Sequence, residues 1–370
     1  MPENPCDTRW SAARAWAWWE ARDWVCGANF LPSSAVNFLE MWRAETFDRE
    51  TIDRELGWAA GLGLNAVRVN THFLVWQHDR DGLIARMRWF LKTASARGID
   101  VVFVPFDDCG FGGAEPVWGP QPAPIDGLHN SRAVASPGRA AVMDRAQWPG
   151  FEAYLRDLVS TFRDDARVLF WDLYNEPGNR MIFTPDGFEE YDAGLTGHSL
   201  ALMRAAFEWA REEVPQQPLT VGAWQTPPVG NNAVPFADAI DSAALDLSDI
   251  VTFHAYCDST RAARLIDHLA TRDRPMLITE WLARAVDSRI DDQLPLFRAR
   301  DVGCFNWGLV RGRTQTYLPW PRALVERHGR NPREGVWFHD LLYADGTPYD
   351  PAETALIAAL TGVSARRAAR

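Results

Sequence analysis

The chain has 370 residues, 47 % of them hydrophobic and 24 % charged, with a formal net charge of −11. That acidic balance argues against a nucleic-acid partner, which favours a basic face, and no apolar run approaches the length of a membrane span. Five cysteines, Cys6, Cys26, Cys109, Cys257 and Cys304, are odd in number and include no CxxC pair, which argues against a disulfide framework or zinc knuckle and for reduced thiols in a reducing compartment.

The opening stretch "MPENPCDTRWSAARAWAWWEARDW" mixes acids and arginines through its aromatic residues. It lacks the apolar core of a signal peptide, so a cytoplasmic location is expected. Residues 1–23 read as a helical cap, with Trp10, Trp16, Trp18 and Trp19 covering the bottom of the fold. Short apolar, β-rich runs then recur at 24–30, 65–70, 100–106, 168–174, 218–224, 249–256, 275–281 and 302–308. Helical apolar spacing lies between them, at 48–63, 151–162, 198–213 and 261–272, the first with Asp48 as N-cap and Gly63 as its stop.

Eight strands alternating with helices, with no internal repeat or long linker, predict an α/β fold: a single (β/α)8 TIM barrel over residues 1–370. A doubly wound open sheet is the runner-up, disfavoured because no GxGxxG turn follows the first strand. Three connections are long: 107–148 after strand three, 225–236 after strand five, and 309–337 after strand eight, the last read as a loop reaching to about residue 340. All three follow strands. They therefore belong to the C-terminal face, where barrel enzymes carry their active sites.

The strand ends are unusually polar. Strand two ends at Arg68 with Asn70 and His72 beyond; strand three ends at Asp107 and Asp108; strand four runs "VLFWDLYNEPGN" into Asn175 and Glu176. Strand six ends at His254 and Tyr256, strand seven at Glu280 and strand eight at Asn306 and Trp307. Alone, Glu176 reads as a turn residue before Pro177 and Glu280 as a strand-end ion pair. Together, in barrel register, they give two carboxylates across one mouth, the requirement for glycoside hydrolysis. One must hold a proton for the leaving oxygen while the other stays ionised. Arg68 and Tyr256 are placed to keep Glu280 charged. Trp76, Trp118, Trp224 and Trp281 lie on strand-end segments where they either pack or stack on sugar. Arg311, Arg313 and Gln315 follow strand eight, within reach of the mouth or on a solvated loop.

These motifs ("NAVRVN", "WDLYNEP", "FHAY", "ITEW" and "FNWG") resemble clan A glycoside hydrolases, most closely family 5, the cellulase-like family, over roughly Trp24 to Trp337. "MWRAETFDRETIDREL" and "RGRTQTYLPW" resemble a bacterial, endo-xylanase-like branch. The resemblance implies a retaining double displacement with Glu176 as acid/base and Glu280 as nucleophile. It gives Asn175 the sugar 2-hydroxyl, His254 a place near Glu176 or the sugar, and Trp307 the stacking floor. It implies neither a metal nor an organic cofactor. Family 5 commonly carries a histidine at the end of strand three. Here Asp107 and Asp108 stand there, as sugar-binding groups or as loop caps, and His72 is a candidate for the related place. The substrate-binding set is thus Asn175, Arg68, His72, Asp107, Asp108, Trp224, His254, Tyr256, Trp281, Trp307 and Arg311.

A carbohydrate partner is expected. Exo action on short oligosaccharides or glycosides leads, pyranosidic (xylo, manno or gluco) or furanosidic (arabino or galacto), with endo-acting xylanase, mannanase or glucanase activity as the alternative. A catalytically silent carbohydrate-binding barrel and a metal hydrolase using His72, His254 and Asp107 or Asp108 are the competing classes; HxH and HExxH spacings are absent. The oligomeric state is left open.

Overall fold

The computed structural model describes residues 9–227, 230–231, 233–331 and 335–362. Cys6 lies outside them. Eight parallel strands form one sheet: β1 (Cys26–Asn29), β2 (Ala66–Asn70), β3 (Asp100–Val104), β4 (Val168–Asp172), β5 (Leu219–Thr220), β6 (Val251–His254), β7 (Met276–Trp281) and β8 (Gly303–Asn306). In the sheet they run β6-β7-β8-β1-β2-β3-β4-β5. The remaining gap, between β5 and β6, is closed by a parallel bridge from Ala223 to Phe253. There the Ala223 amide donates to Thr252 O at 3.0 Å and the His254 amide to Ala223 O at 2.9 Å. The sheet is a closed (β/α)8 barrel, and every strand falls inside its predicted window.

Each strand leads to a helix: α1 (Arg49–Leu62), α2 (Phe73–Ser95), α3 (Trp148–Phe162), α4 (Leu195–Glu212), α5 (Ala239–Leu247), α6 (Ser259–Ala270), α7 (Ile290–Ala299) and α8 (Pro351–Leu360). Helix α1 shows why the pattern was readable. Asp48 Oδ1 accepts the Thr51 amide at 3.0 Å, Gly63 ends the helix at φ +100°, and Ile52, Leu56 and Ala59 form its buried stripe. In β2, alternation sends Val67 and Val69 toward the helices and Arg68 into the barrel.

The N-terminal helix Ala12–Glu20 lies across the N-terminal end of the barrel. The Trp10 amide donates to Asp249 Oδ1 at 2.9 Å, Trp19 Nε1 to Asp301 Oδ2 at 2.7 Å, and Trp24 Nε1 to Val302 O at 2.8 Å. These acceptors stand just ahead of β6 and β8. Trp18 meets Phe170 of β4 edge-on at 6.4 Å.

At the opposite end three loops join. The segment after β3 is clipped to the segment after β8: Gln315 Nε2 donates to Ile125 O at 2.7 Å, its Oε1 accepts from the Gly127 amide at 3.0 Å, and the Asn130 amide reaches Thr314 O at 2.8 Å. After β4, the hairpin Met181–Thr184/Gly187–Glu190 adds a bond from the Phe183 amide to Phe111 O at 2.9 Å, with the two phenyl rings stacked at 4.4 Å. Among the described residues no helix is long and apolar enough to cross a membrane.

Candidate active site

The three loops and the strand ends enclose a cavity of about 300 Å³ at the C-terminal mouth. Its floor is polar and its walls are mostly apolar. Glu176 and Glu280 both line it, and one oxygen of each, with a ring nitrogen of His254, lie within 4.8 Å of one another.

The two carboxylates are held differently. Glu280 sits on strand β7, beside a bulge where the pairing with β6 and β8 shifts register. Its Oε1 accepts from Arg68 Nη1 at 2.9 Å and its Oε2 from the Tyr256 hydroxyl at 2.8 Å. Arg68 is fully enclosed. It also bonds Asp172 at 2.9 Å, Asn29 Oδ1 at 2.8 Å and Asn175 Oδ1 at 2.7 Å, so a single guanidinium ties together β1, β2, the end of β4 and β7. Glu176, by contrast, stands on a turn at φ +42°, a left-handed conformation uncommon outside glycine. The turn is braced because Asp108 Oδ2 accepts the Gly178 amide at 2.7 Å and Glu176 O accepts the Asn179 amide at 3.0 Å. Glu176 Oε2 receives Asn179 Nδ2 at 2.6 Å and the Cys109 thiol at 3.2 Å; Oε1 lies 2.9 Å from His254 Nδ1.

Burial pushes the Glu176 carboxyl above the ordinary range, opposed by the Asn179 and Cys109 hydrogen bonds and the Arg68 charge. Burial also raises Glu280, opposed by His254, while neighbouring Glu176 adds to the rise. Two carboxylates this close share a proton. Arg68 touches Glu280 directly and reaches Glu176 only through space, a geometry that favours the charge on Glu280. Because Oε2 of Glu176 already takes two donors, its proton belongs on Oε1. Burial holds His254 down to about 4, hence neutral. Its ring fits because residue 222 is glycine: a Cβ there would lie 3.1 Å from Nε2.

Of the residues expected to bind substrate, Asn175, Asp107, Trp224, His254, Tyr256 and Trp307 line the cavity. Asp107 accepts from Asn70 Nδ2 at 2.8 Å, Asn175 Nδ2 at 2.9 Å and the Cys109 amide at 2.8 Å. The others sit elsewhere, and the expectation is revised for each. Arg68 lies beneath the cavity, where it makes the contact to Glu280 expected of it but does not line the cavity as a substrate-binding group. Asp108 is fully buried on the Tyr174 hydroxyl, the Gly178 amide and the Ser199 hydroxyl, and burial raises it to about 6. His72 is the N-cap of α2, Nδ1 accepting the Leu74 amide at 3.2 Å. Trp281, only 1 % exposed, faces α7 and meets Phe297 edge-on at 5.0 Å, because strand alternation sends it away from Glu280. Arg311 lies over the Tyr317 ring at 4.3 Å, outside the cavity. Trp76 and Trp118 are also absent from the lining: Trp76 donates to Asp157 at 2.7 Å, and Trp118 stacks on His78 at 4.6 Å. Without His72 and Asp108, the metal-ligand set considered from sequence is not assembled.

Sequence reasoning missed Cys109 and Asn179, the two donors on Glu176, and Asn29 beside Arg68. It also missed the apolar wall of Phe111, Phe183 and Trp320. For Asn179 a signal existed: it lies three residues after Glu176, the span of a single turn. The wall had none, because its members come from three loops.

No protein-family model matches the chain, and no curated protein sequence matches it. Solved structures do. A GH5_18 protein from Streptomyces cattleya, in complex with Manb1-4GlcNAc, is similar with a TM-score of 0.59 at 17 % identity, over 91 % of this chain and 80 % of that one. An apo β-glucosidase, 1317, gives 0.58 at 15 % identity over 92 % and 98 %. An endo-1,4-β-mannanase from Rhizomucor miehei gives 0.56 at 14 % identity over 93 % and 95 %. At these identities the likeness is one of fold: the chain shares the (β/α)8 barrel of these proteins over nearly its whole length.

Proposed function

We propose that the protein is a retaining glycosidase of the family 5 type, acting on the terminal unit of short β-glycosides. The observation that carries this reading is the carboxylate pair: oxygens of Glu176 and Glu280 within 4.8 Å, facing one cavity, in unlike surroundings. Retaining enzymes keep their carboxyls about 5–5.5 Å apart, whereas inverting ones leave room for a water between them. Ionised Glu280 attacks the anomeric carbon while Glu176 Oε1 delivers its proton to the leaving oxygen, giving a glycosyl-enzyme ester. Glu176, now a carboxylate, takes a proton from water, which attacks the same carbon and releases Glu280. Asn175, fixed by Arg68 and Asp107, presents its amide beside the nucleophile for the sugar 2-hydroxyl. Trp307 offers a ring face for the sugar.

The cavity volume, near the small end of ligand pockets, favours a short glycoside over a polymer. The bond between the loops after β3 and β8 closes one rim, which favours exo action. Structural neighbours named for mannosidic and glucosidic substrates support a manno- or gluco-configured glycone. The test is a panel of aryl pyranosides and furanosides of both anomers, run with wild type and Glu280→Gln. One glycoside cleaved with retention at the anomeric carbon, and loss of about 10⁴-fold or more in the variant, is the expected outcome. Activity surviving in Glu280→Gln removes the nucleophile assignment.

A further inference from the structure

Cys109 is a nucleophilic side chain inside the site, and the double displacement makes no use of its nucleophilicity. It follows the short strand Phe106–Asp107, which pairs in parallel with Tyr174–Asn175 just ahead of Glu176. This pairing, with the Cys109 amide held by Asp107 Oδ1, sets the thiol against Glu176 Oε2 at 3.2 Å. The sulfur is itself an acceptor. Asn175 Nδ2 approaches it at 3.4 Å and Asn179 Nδ2 at 3.6 Å. With amide protons on its lone-pair side, its own proton points at the carboxyl. Burial, with Glu176 and Asp107 adding to it, keeps the thiol well above its ordinary range, so it remains S–H.

We propose that Cys109 is a positioning residue for Glu176, its S–H fixing Oε2 as the accepting oxygen and leaving Oε1 to carry and return the reacting proton. This assignment rests on the glycosidase reading. It explains the choice of sulfur. A hydroxyl would bond the carboxylate strongly and favour the ionised form. A methyl would leave Oε2 with Asn179 alone. A thiol is a weak donor, so it orients the carboxyl without stripping it of its proton.

The titratable and charged groups facing Glu176 are Asp107 and Cys109 from the loop after β3, His254 from β6, Glu280 from β7 and Arg68 from β2, with the Tyr256 hydroxyl behind Glu280. His254 is neutral and Glu280 ionised, so the basic limb of kcat/KM belongs to Glu176. The experiment compares wild type, Cys109→Ala and Cys109→Ser on aryl glycosides spanning good and poor leaving groups, across pH, with melting curves for each. In Cys109→Ala, loss of a donor to the charged form moves the basic limb up by about half a pH unit. A serine hydroxyl that reaches Oε2 moves it down. kcat/KM falls with poor leaving groups, about 10-fold for Ala, and stays near wild type with dinitrophenyl leaving groups, whose departure needs no acid. A purely structural role would lower all substrates alike. Basic limbs and leaving-group dependence unchanged in folded Cys109→Ala overturn the assignment alone. A wild type that cleaves no glycoside overturns the glycosidase reading and this assignment with it.

Discussion

The ends of β4 and β7 carry the same side chain into the same cavity, yet they are built on opposite plans. At β7 the backbone stays extended, with a bulge beside Glu280, and the carboxylate is held by charge: Arg68 at 2.9 Å on one oxygen, a tyrosine hydroxyl on the other. At β4 the backbone is a left-handed turn and the carboxyl is held by neutral donors, Asn179 and a thiol. On the proposed mechanism, the difference teaches how one small volume can keep two carboxyls in unlike protonation states. A buried cation placed on one selects it as the anion; the other keeps the proton that burial favours.

The contrast can be broken from either side. The largest effect expected in this series is from Glu176→Gln, which removes the proton donor. With alkyl or other poor leaving groups kcat/KM should fall about 10³-fold, and far less with dinitrophenyl glycosides; equal losses across leaving groups would count against an acid role. Next is Arg68→Met. It leaves Asp172 and Glu280 buried without their cation, so it should cost about 3–5 kcal/mol in thermal or urea unfolding, together with most of the activity. A folded, active Arg68→Met would show that charge does not distinguish the two sites. The pH profile sharpens the comparison without mutation. On the proposed mechanism, activity requires Glu280 ionised and Glu176 protonated. It should therefore fall below the pKa of Glu280 and above that of Glu176, and both limbs should lie higher than ordinary carboxylates, because burial raises both groups. The smallest effect belongs to Trp281→Phe. The ring packs on α7, so KM should stay within about twofold while the melting temperature falls; a large KM change would return Trp281 to the cavity.

Most of the barrel was legible because its strands are apolar runs of the right length, and because their polar ends coincide with their C-terminal ends. Glu176, Glu280 and Arg68 stand out for that reason: a charged residue in or after an apolar barrel strand must go to the mouth or, like Arg68 with Asp172, pair inside the barrel beneath it. Trp281 was misjudged although the rule that places it was available. If Glu280 points in, the next residue along the extended strand points out. His72 is a helix cap, and its identity alone does not separate that role from a ligand. Asp108 and Cys109 could not be placed from sequence, because a two-residue pairing between distant segments, Phe106–Asp107 with Tyr174–Asn175, decides which of three successive side chains faces the carboxyl. The cavity wall is less legible still. Phe111, Phe183 and Trp320 meet only because three separate loops meet.

The Gln315 clip joins positions 190 residues apart. It can form only after the segments that follow β3 and β8 are brought together at the mouth of the barrel. During refolding, helix content can recover from local segments well before that closure, so catalytic competence should return last. The rim of the cavity thus doubles as a completion signal for the whole ring, and regained turnover would report assembly more stringently than regained circular dichroism.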